Sequence, residues 1–318
     1  MRPGPCHVLR GDVRDTVEDV TESAVLSTFE EHRPTLFGIA YRMLSSVADA
    51  EDIVQDAWLK WSAVDVAQIT QPRAYLARTV TNLSLNRLRS ASAQRESYVG
   101  PWLPEPLVTA PDASGPVEQA ETVSLAMLVV LETLSPLERA VFLLKEAFGF
   151  SYAEIGGMLD RSESAVRQVG SRARSHVQAR RPRYDAPAEM RRAVTEEFLA
   201  ACLGGDLNRM MELLAPDVTV WSDGGGKIRA ALRPLHGAGK VARWTLGVLG
   251  RYLPKDLGLH PVDVNGRFGF LITTDGVPDD VFTMELDENG RITEVRLVRN
   301  PDKLRHVNTP WPQSPTGG

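Results

Sequence analysis

The sequence predicts a multidomain fold in which two all-α helical domains are followed by an α+β domain. Helical periodicity covers residues 24–92 and resumes from about 117 to about 181, with a proline-rich stretch in between. From 188 to 305, helices come first and β-strand patterns follow, which is an α+β arrangement. With 318 residues, 43% of them apolar, the chain is long enough for two or three buried cores.

The composition excludes several classes of protein. Two cysteines, Cys6 and Cys202, cannot form a disulfide framework and fit a reducing cytosol, and Cys6 with His7 is a poor basis for a metal site. The first 23 residues contain no apolar block of signal-peptide length, and the longest apolar run, 125–131, is too short to cross a bilayer. We therefore expect a cytoplasmic protein with no membrane contact, no metal and no cofactor.

Two windows of the chain carry arginine but no acidic residue. Residues 66–95 and 164–184 contain neither Asp nor Glu, although the net charge of the whole chain is −5. A local positive field of this kind is typical of proteins that bind a phosphate backbone. The alternative is two solvated helix faces. Because the second window overlaps a helix-turn-helix pattern, we favour DNA as the partner.

In the first helical domain, residues 24–92, one amphipathic helix has an acidic face. Its apolar stripe includes Ala50, Ala57 and Trp61. The acidic face contains Asp49, Asp52, Gln55 and Asp56. Taken alone, such a face is most often only solvated.

The next long helix begins near Pro72 and has Arg and Asn at helical spacing. Leu76, Val80 and Leu83 form its predicted core stripe, and another face shows Arg78, Asn82, Asn86 and Arg89. Arg and Asn side chains can hold phosphates and read base edges. Tyr75, near the start of the helix, either stacks on an unpaired base or is a buried aromatic anchor.

The second helical domain, residues 124–183, contains a helix-turn-helix pattern. Capping boxes at 135–138 and 151–154 begin two helices, Asp160-Arg161 makes a turn, and Ser162 caps the helix that follows. One face of that helix is apolar, and its other faces show Ser164, Arg167, Gln168, Ser171, Arg172 and Arg174. Small polar side chains with Arg and Gln suit the major groove of DNA. An ordinary helical hairpin would normally expose both signs of charge.

Residues 188–305 are expected to form helices and an antiparallel sheet that enclose a pocket. A curved sheet closed by helices leaves a concave apolar cavity, which is where small ligands usually bind. The aromatic residues that either line it or form the core are Trp221, Trp244, Phe268, Phe270 and Phe282. Asp223 is a polar group at the pocket mouth or an ordinary turn residue. His236 and His260 lack a convincing partner for acid–base chemistry, so we do not expect an enzyme.

The order of these segments resembles the bacterial alternative sigma factors of the extracytoplasmic-function group. The resemblance covers about residues 24–181 and rests on the acidic helix 49–56, the Arg/Asn helix, the proline-rich linker 93–123 and the C-terminal helix-turn-helix. It implies docking on the β′ clamp of core RNA polymerase by Asp49, Glu51, Asp52, Gln55 and Asp56. It also implies that the linker runs through the active channel of the polymerase.

The same resemblance implies how promoter DNA is read. The loop 64–71 and the helix that follows it correspond to the elements that melt and read the −10 region, through Tyr75, Arg78, Asn82, Asn86 and Arg89. The helix 163–180 corresponds to the reader of the −35 element.

The residues after 188 resemble a SnoaL-like domain, with the cone-shaped fold shared by nuclear transport factor 2 and ketosteroid isomerase. Short motifs at 102–106, 223–227 and 300–304 resemble those of a sigma-factor subgroup fused to such domains. In that subgroup the extra domain is implied to act in cis, with no separate anti-sigma factor. The expected regulatory or pocket residues are Trp102, Trp221, Asp223, Lys227, Asn300, Asp302 and Lys303.

The sequence therefore favours a non-enzymatic transcription initiation factor whose C-terminal domain modulates its activity and can hold a small ligand. A stand-alone DNA-binding regulator that senses a ligand is the second interpretation, and an isomerase or cyclase fused to a DNA-binding module is the third. The acidic helix separates the first interpretation from the second, because a simple repressor does not need it. Residues 1–23 and 306–318 are expected to be flexible tails.

Overall fold

The computed structural model describes residues 13–65, 68–109, 123–181, 184–252, 254 and 256–307. It confirms the predicted fold class, with two groups of helices followed by an α+β domain. The described part of the chain contains no helix that is both long enough and apolar enough to span a bilayer. The Cys6-His7 pair and most of the predicted C-terminal tail lie outside the described residues.

Three helices form the first group: α1 (Val13–Leu44), α2 (Val47–Ser62) and α3 (Pro72–Glu96). The predicted flexible tail is therefore helical from Val13 onward, because extending a helix that has already nucleated costs little. Ser46 caps α2, whose buried face contains the predicted Ala50, Ala57 and Trp61. Trp61 is fully buried, and its indole Nε1 donates a hydrogen bond to Val25 O at 2.9 Å.

Four further helices form the second group: α4 (Leu125–Glu132), α5 (Pro136–Phe142), which continues as a π-helical turn (Leu143–Ala147), α6 (Tyr152–Leu159) and α7 (Glu163–Arg180). Both predicted capping boxes are present, at Ser135–Glu138 and Ser151–Glu154. In each box the hydrogen bond from the serine hydroxyl holds the pKa of the glutamate below its ordinary value. The local sequence thus sets where these helices begin.

The third part contains α8 (Ala188–Gly204), α9 (Leu207–Leu213), β2 (Leu214–Asp223), β3 (Leu235–His236), α10 (Ala238–Tyr252), β4 (Leu257–Val264), β5 (Arg267–Thr274), β6 (Val277–Leu286), β7 (Ile292–Val298) and a 3₁₀ turn (Pro301–Leu304). A short strand from the linker, β1 (Val108–Thr109), completes a seven-stranded sheet of order β1-β4-β5-β6-β7-β2-β3. The sequence predicts an antiparallel sheet, and this prediction is wrong at one position. The sheet is mixed, because β2 and β7 pair in parallel. The β4–β7 meander brings β7 alongside β2 in the same direction.

The two faces of this sheet pack against different parts of the chain. Phe282 and Met284 of β6 pack with the helices α8 to α10, in the core of the C-terminal domain. Val281, which precedes Phe282 and pairs with Leu271 of β5, lies on the opposite face and belongs to a core that also contains Leu103 and the helices before it. Since alternate residues of a strand point to opposite faces, the sheet is buried on both sides. The helical domains and the C-terminal domain therefore share a continuous apolar core.

Asn265, in the turn between β4 and β5, joins all three parts of the chain. It is 2% exposed and has a left-handed backbone conformation with φ of 53°. Its Oδ1 accepts from Leu107 N at 3.0 Å, and its Nδ2 donates to Tyr41 Oη at 2.8 Å and to Val123 O at 3.2 Å. Burial raises the pKa of the Tyr41 hydroxyl, so this group stays protonated and donates in turn to Glu105 O at 2.7 Å.

We predict that Asn265→Ala loosens this junction. Three buried hydrogen bonds are lost, so the free energy of unfolding should fall by about 2–3 kcal/mol more than in the control. The control is Asp275→Ala, an exposed turn residue with φ of 51° that bears the same backbone strain. Urea unfolding of both variants measures the difference, and equal midpoints would show that the Asn265 side chain contributes nothing.

Candidate functional site

The acidic face of α2 is open to solvent, as the sequence predicts. Glu51, Asp52, Gln55 and Asp56 are exposed, and Asp49 is half-buried. The face is partly neutralised by arginines of its neighbours, because Arg33 of α1 pairs with Glu51 at 3.2 Å and Arg87 of α3 pairs with Asp49 at 2.5 Å and with Asp52 at 3.2 Å. Asp49 raises the pKa of Arg87 above its ordinary value. These ion pairs are exposed and weak, so a competing partner can replace them.

Leu59 is a part of this face that the residue pattern did not single out. It is 60% exposed, and it lies one helical turn beyond Gln55 and Asp56. An exposed leucine beside carboxylates is the combination expected of a protein-docking surface with an apolar centre and a charged rim. The sequence signal was its position, four residues after Gln55 on the polar side of the helix.

The predicted −10 residues on α3 do not form one open surface. Asn86 and Arg89 are exposed, whereas Arg78, which is also exposed, and the half-buried Asn82 contact the end of helix α6 in the second helical group. Arg78 Nη2 lies 3.1 Å from Asp160 Oδ1, and Asn82 Nδ2 donates to Met158 O at 3.4 Å. The turn of the helix-turn-helix therefore contacts the N-terminal half of this face and partly occupies its polar groups.

Tyr75 is half-buried and packs on Trp61, with ring centroids 5.8 Å apart. Of the two roles considered for Tyr75, the structure shows the aromatic anchor. Arg73, which precedes it, donates to Phe148 O at 2.7 Å and lies over the Phe150 ring at 4.7 Å. The start of α3 is thus fixed against the second helical group by cation–π and hydrogen-bond contacts.

A buried arginine also fixes the two helical groups to each other. Arg139 of α5 is 3% exposed and donates to Met43 O of α1 at 2.6 Å. It also pairs with Glu132, which accepts a hydrogen bond from the Ser45 hydroxyl at 2.6 Å. A buried guanidinium is costly unless such partners remain in place, so the ion pair favours one relative position of the two groups.

The helix α7 presents the predicted DNA-reading face to solvent. Ser164, Arg167, Gln168, Ser171 and Arg172 are exposed, and all but Arg172 line a shallow depression together with Glu163. Arg174 is half-buried and pairs with Glu146 at 2.5 Å. On the opposite side Val166, Val169, Ala173 and Val177 are buried as predicted.

The turn before α7 needs two special backbone positions. Asp160 has φ of 53°, and a Cβ on Gly156 would lie 2.7 Å from Arg161 O. A side chain at Gly156 would therefore push the turn away from α6. Gly156 has no Cβ, and aspartate is one of the residues that adopt a left-handed conformation most readily. These two residues therefore permit the tight turn that fixes the angle between α6 and α7.

Asp223 forms a buried junction with the linker, which we call the clasp and define as Tyr98, Trp102, Leu103, Asp223, Asn300 and Lys303. The Asp223 side chain is fully buried. Its Oδ1 accepts from Tyr98 Oη at 2.5 Å and from Gly225 N at 3.1 Å, and its Oδ2 accepts from Leu103 N at 2.8 Å. Lys303 Nζ lies 2.8 Å from the same Oδ2. These four donors use the roughly four acceptor positions of a carboxylate.

Lys303 and Asn300 complete the clasp from the end of the sheet. Lys303 is 6% exposed, donates to Leu103 O, and lies 4.0 Å from the centre of the Trp102 ring and 5.0 Å from that of Tyr98. Asn300 Nδ2 donates to Tyr98 Oη at 2.9 Å. A Cβ on Gly225 would lie 2.3 Å from this amide, and Gly225 has φ of +59°, so only glycine fits here. Lys227 and Asp302 form an exposed ion pair at the edge.

The other half of the linker motif binds the first helical group. Glu105 Oε2 accepts from Val47 N at 2.7 Å and its Oε1 accepts from Ser46 Oγ at 3.0 Å, at the N-terminus of α2. A carboxylate is favourable there because of the free N–H groups and the helix dipole. The linker thus joins the acidic helix to the C-terminal domain. Tyr98 and Glu105 were not predicted as site residues, although Glu105 lies within the 102–106 motif.

Of the two positions considered for Trp221, pocket wall or core, the structure shows the core. Trp221 packs on the opposite side of the sheet, against the core shared with the helical groups, and Arg296 lies over its ring at 5.3 Å. Asp223, two residues later on the same side, is likewise at the junction and not at a pocket mouth. Successive side chains of a β-strand point to opposite faces of the sheet. Val220 of β2 therefore points into the pocket, and Trp221 points to the other face.

Comparisons with known proteins agree with this arrangement. Residues 28–94 match the family model "Sigma-70 region 2", and residues 124–177 match "Sigma-70, region 4". The ECF RNA polymerase sigma factor SigJ of Mycobacterium tuberculosis is 40% identical over 292 residues, which are 88% of this chain and 93% of that protein. The probable ECF RNA polymerase sigma factor SigI of the same species is 34% identical over 61% of this chain and 68% of its own length.

A solved structure extends the similarity to the whole fold. The crystal structure of Mycobacterium tuberculosis SigJ superimposes with a TM-score of 0.72 at 38% identity, over 88% of this chain and 98% of that one. The identity and coverage include the C-terminal domain as well as the two helical regions. The chain therefore belongs to the extracytoplasmic-function RNA polymerase sigma factors, which are not enzymes but bind core RNA polymerase and promoter DNA and direct transcription initiation.

Proposed function

We propose that the C-terminal domain modulates initiation in cis by holding this sigma factor in a closed state. The observation that carries the proposal is the clasp, in which a fully buried Asp223 receives two of its four hydrogen bonds from the linker. The linker in turn holds the N-terminus of α2 through Glu105. The domain acts in place of a separate anti-sigma factor.

The closed state restricts promoter reading at the −10 face. Tyr75, Arg78, Asn82, Asn86 and Arg89 are proposed to contact the −10 region, but Arg78 and Asn82 are engaged by Asp160 and Met158. The Arg78 side chain is still 48% exposed, but DNA has to displace Asp160 from it and Met158 from Asn82 before both side chains can bind. Closed and open forms thus differ in their interaction with DNA, which is the condition for a regulatory equilibrium.

The closed state also occupies the linker. In polymerase the linker is proposed to run through the active channel, which needs its backbone to be free of the C-terminal domain. Here the amide of Leu103 donates to Asp223, and the amide of Leu107 donates to Asn265. The two positions of the linker exclude each other, so binding of polymerase has to compete with the clasp.

Two surfaces remain available in the closed state for the first encounter. The proposed β′ clamp surface consists of Asp49, Glu51, Asp52, Gln55 and Asp56, with Leu59 at its C-terminal end. The proposed −35 surface on α7 consists of Ser164, Arg167, Gln168, Ser171, Arg172 and Arg174. Docking of the acidic surface comes first, and release of the linker and of α6 follows.

We predict that Asp52→Arg combined with Asp56→Arg weakens binding to core RNA polymerase at least about tenfold, because like charges meet across the interface. Fluorescence anisotropy with labelled full-length protein measures the affinity. The matched control is Glu212→Arg combined with Glu288→Arg, which reverses the charge of two exposed carboxylates of the C-terminal domain. Unchanged affinity of the α2 variant would remove the proposed clamp surface.

We predict that Tyr98→Phe opens the clasp without unfolding the protein. One hydroxyl that bonds to Asp223 and Asn300 is lost, so the Leu103 amide should exchange with solvent about fivefold faster. Hydrogen–deuterium exchange measures this rate, and single-round run-off transcription with core polymerase should show faster initiation.

The control for this variant is Tyr184→Phe, which removes a hydroxyl that makes no hydrogen bond within the described residues. It should leave both exchange and transcription unchanged. If Tyr98→Phe accelerated exchange but slowed initiation, the domain would act as an activator, and the inhibitory closed state proposed here would be wrong.

A further inference from the structure

The C-terminal domain contains a cavity of about 500 Å³ that the clasp does not use. It lies between the concave side of the sheet and the helices α8 and α10. This volume is within the range of about 300–1,000 Å³ that is typical of small-molecule sites. Apolar side chains dominate its walls, among them Phe198, Leu199, Trp244, Leu259 and Phe282.

Charged side chains meet at one end of this cavity. Asp279 and Asp280 reach it from β6, Arg299 from the end of β7, and Arg229 from the loop after β2. Arg299 Nε donates to Asp280 Oδ1, and its Nη2 lies 3.5 Å from Asp279 Oδ2. At the mouth, the Arg229 guanidinium stacks on the Tyr252 ring at 5.2 Å and donates to its hydroxyl. Two carboxylates and two guanidinium groups balance, so the end carries no net charge.

Asp280 retains the capacity to accept a further hydrogen bond. Its side chain is only 14% exposed. Within the described part of the chain its Oδ2 has no donor, whereas the Arg299 guanidinium is already shared among Asp280, Asp279 and Arg229 O. Asp280 Oδ2 is therefore a buried acceptor that a ligand can use. An anion beside it would meet two carboxylates and the Arg299 guanidinium, each nitrogen of which already has an acceptor, whereas Arg229 lies at the exposed mouth.

We propose that this cavity binds an uncharged, mainly apolar molecule with one hydroxyl group, which donates a hydrogen bond to Asp280. The apolar walls take the hydrocarbon part of the ligand, and the carboxylate fixes its orientation. A charge-assisted bond in a water-poor site is roughly twice as strong as a neutral one, so the hydroxyl group decides selectivity.

The cavity is connected to the clasp through Arg299. The backbone N–H of Arg299 donates to Asp223 O at 2.8 Å, and its Nη1 donates to Arg229 O at 2.8 Å. The next residue, Asn300, bonds to Tyr98 in the linker. A ligand that draws Asp280 away from Arg299 thus acts one residue from the clasp. This regulatory step rests on the proposed function, whereas binding of the ligand does not.

A set of three matched probes tests the chemistry of the site on the full-length protein. Isothermal titration calorimetry compares 4-phenylphenol, biphenyl and biphenyl-4-carboxylate, which share one hydrocarbon body. We expect 4-phenylphenol to bind about tenfold more tightly than biphenyl, and the carboxylate to bind more weakly than either. Equal binding of 4-phenylphenol and biphenyl, tightest binding of the carboxylate, or no saturable binding up to about 1 mM would overturn the proposal.

Two variants place the binding in this cavity. Asp280→Asn should reduce the preference for 4-phenylphenol over biphenyl to about twofold, because the charge of the acceptor is lost. Its control is Asp275→Asn, the same change in an exposed turn at the end of the same hairpin. Thr245→Trp, on the half-buried pocket side of α10, should abolish binding of all three probes by filling the cavity while leaving the circular dichroism spectrum unchanged.

The pH dependence gives an independent readout. Burial raises the pKa of Asp280 to about 6; Asp279 adds to this rise and Arg299 opposes it. Arg229 and Tyr252 at the mouth, and Cys202 of α8, are the other charged or titratable groups of the cavity, and burial raises the pKa of the Cys202 thiol to about 12. The preference for 4-phenylphenol should be full at pH 8 and should shrink as the pH falls through about 6, where Asp280 takes up a proton. A preference that grows towards low pH would contradict the role of the carboxylate.

The coupling to the clasp is measured separately from binding. Saturating 4-phenylphenol should accelerate hydrogen–deuterium exchange of the Leu103 amide at least about threefold, and biphenyl should have less effect. Selective binding without this acceleration would refute the regulatory step and leave the ligand site standing. Failure of Tyr98→Phe to change exchange would refute the closed state itself, so the two hypotheses are tested independently.

Discussion

The buried carboxylate of Asp223 is the interaction on which the arrangement of this protein depends. A charge removed from water costs several kcal/mol unless its partners are in place, and here two of its four partners come from the linker, about 120 residues away in the chain. Lys303 cannot compensate alone, because its own ammonium group is buried between two aromatic rings and a backbone carbonyl. The C-terminal domain is therefore electrostatically complete only when the linker is bound.

Packing makes the same junction cooperative. Both faces of the sheet are covered, one by the helices of its own domain and the other by the linker and the helical groups. Displacing the linker would expose Leu103 and the β4 strand edge that β1 now occupies. Such a surface opens in one step or not at all, since neither the buried charge nor the apolar face gains from partial exposure. The closed and open states that we propose are therefore expected to be discrete.

The charges of the helical regions fit a protein that has to be released by a larger partner. The contacts that cover the acidic face and Arg78 are exposed ion pairs, each worth less than about 1 kcal/mol. The contacts that hold the linker and Arg139 are buried and stronger. In the mechanism we propose, recognition begins on the weakly held surfaces, and the polymerase then has to outcompete the buried contacts.

The sequence alone predicted the family of this protein, most of its helices, and the strands β2 and β4 to β7, but not the strands β1 and β3 or the start of α1 at Val13. Capping boxes and the apolar face of α7 are local signals, and each was confirmed because a few adjacent residues set it. The acidic face of α2 and the polar face of α7 were likewise predicted from the sequence, because helical periodicity alone decides which residues share a face. Tertiary structure alone decided the roles of Trp221, Arg78 and Asp223. Their partners lie 75 or more residues away along the chain, and the parallel pairing of β2 with β7, which sets the orientation of Trp221 and Asp223, arises only when the meander closes. Local sequence patterns identify side chains that can make such contacts, but they do not identify the distant residue with which each contact is made.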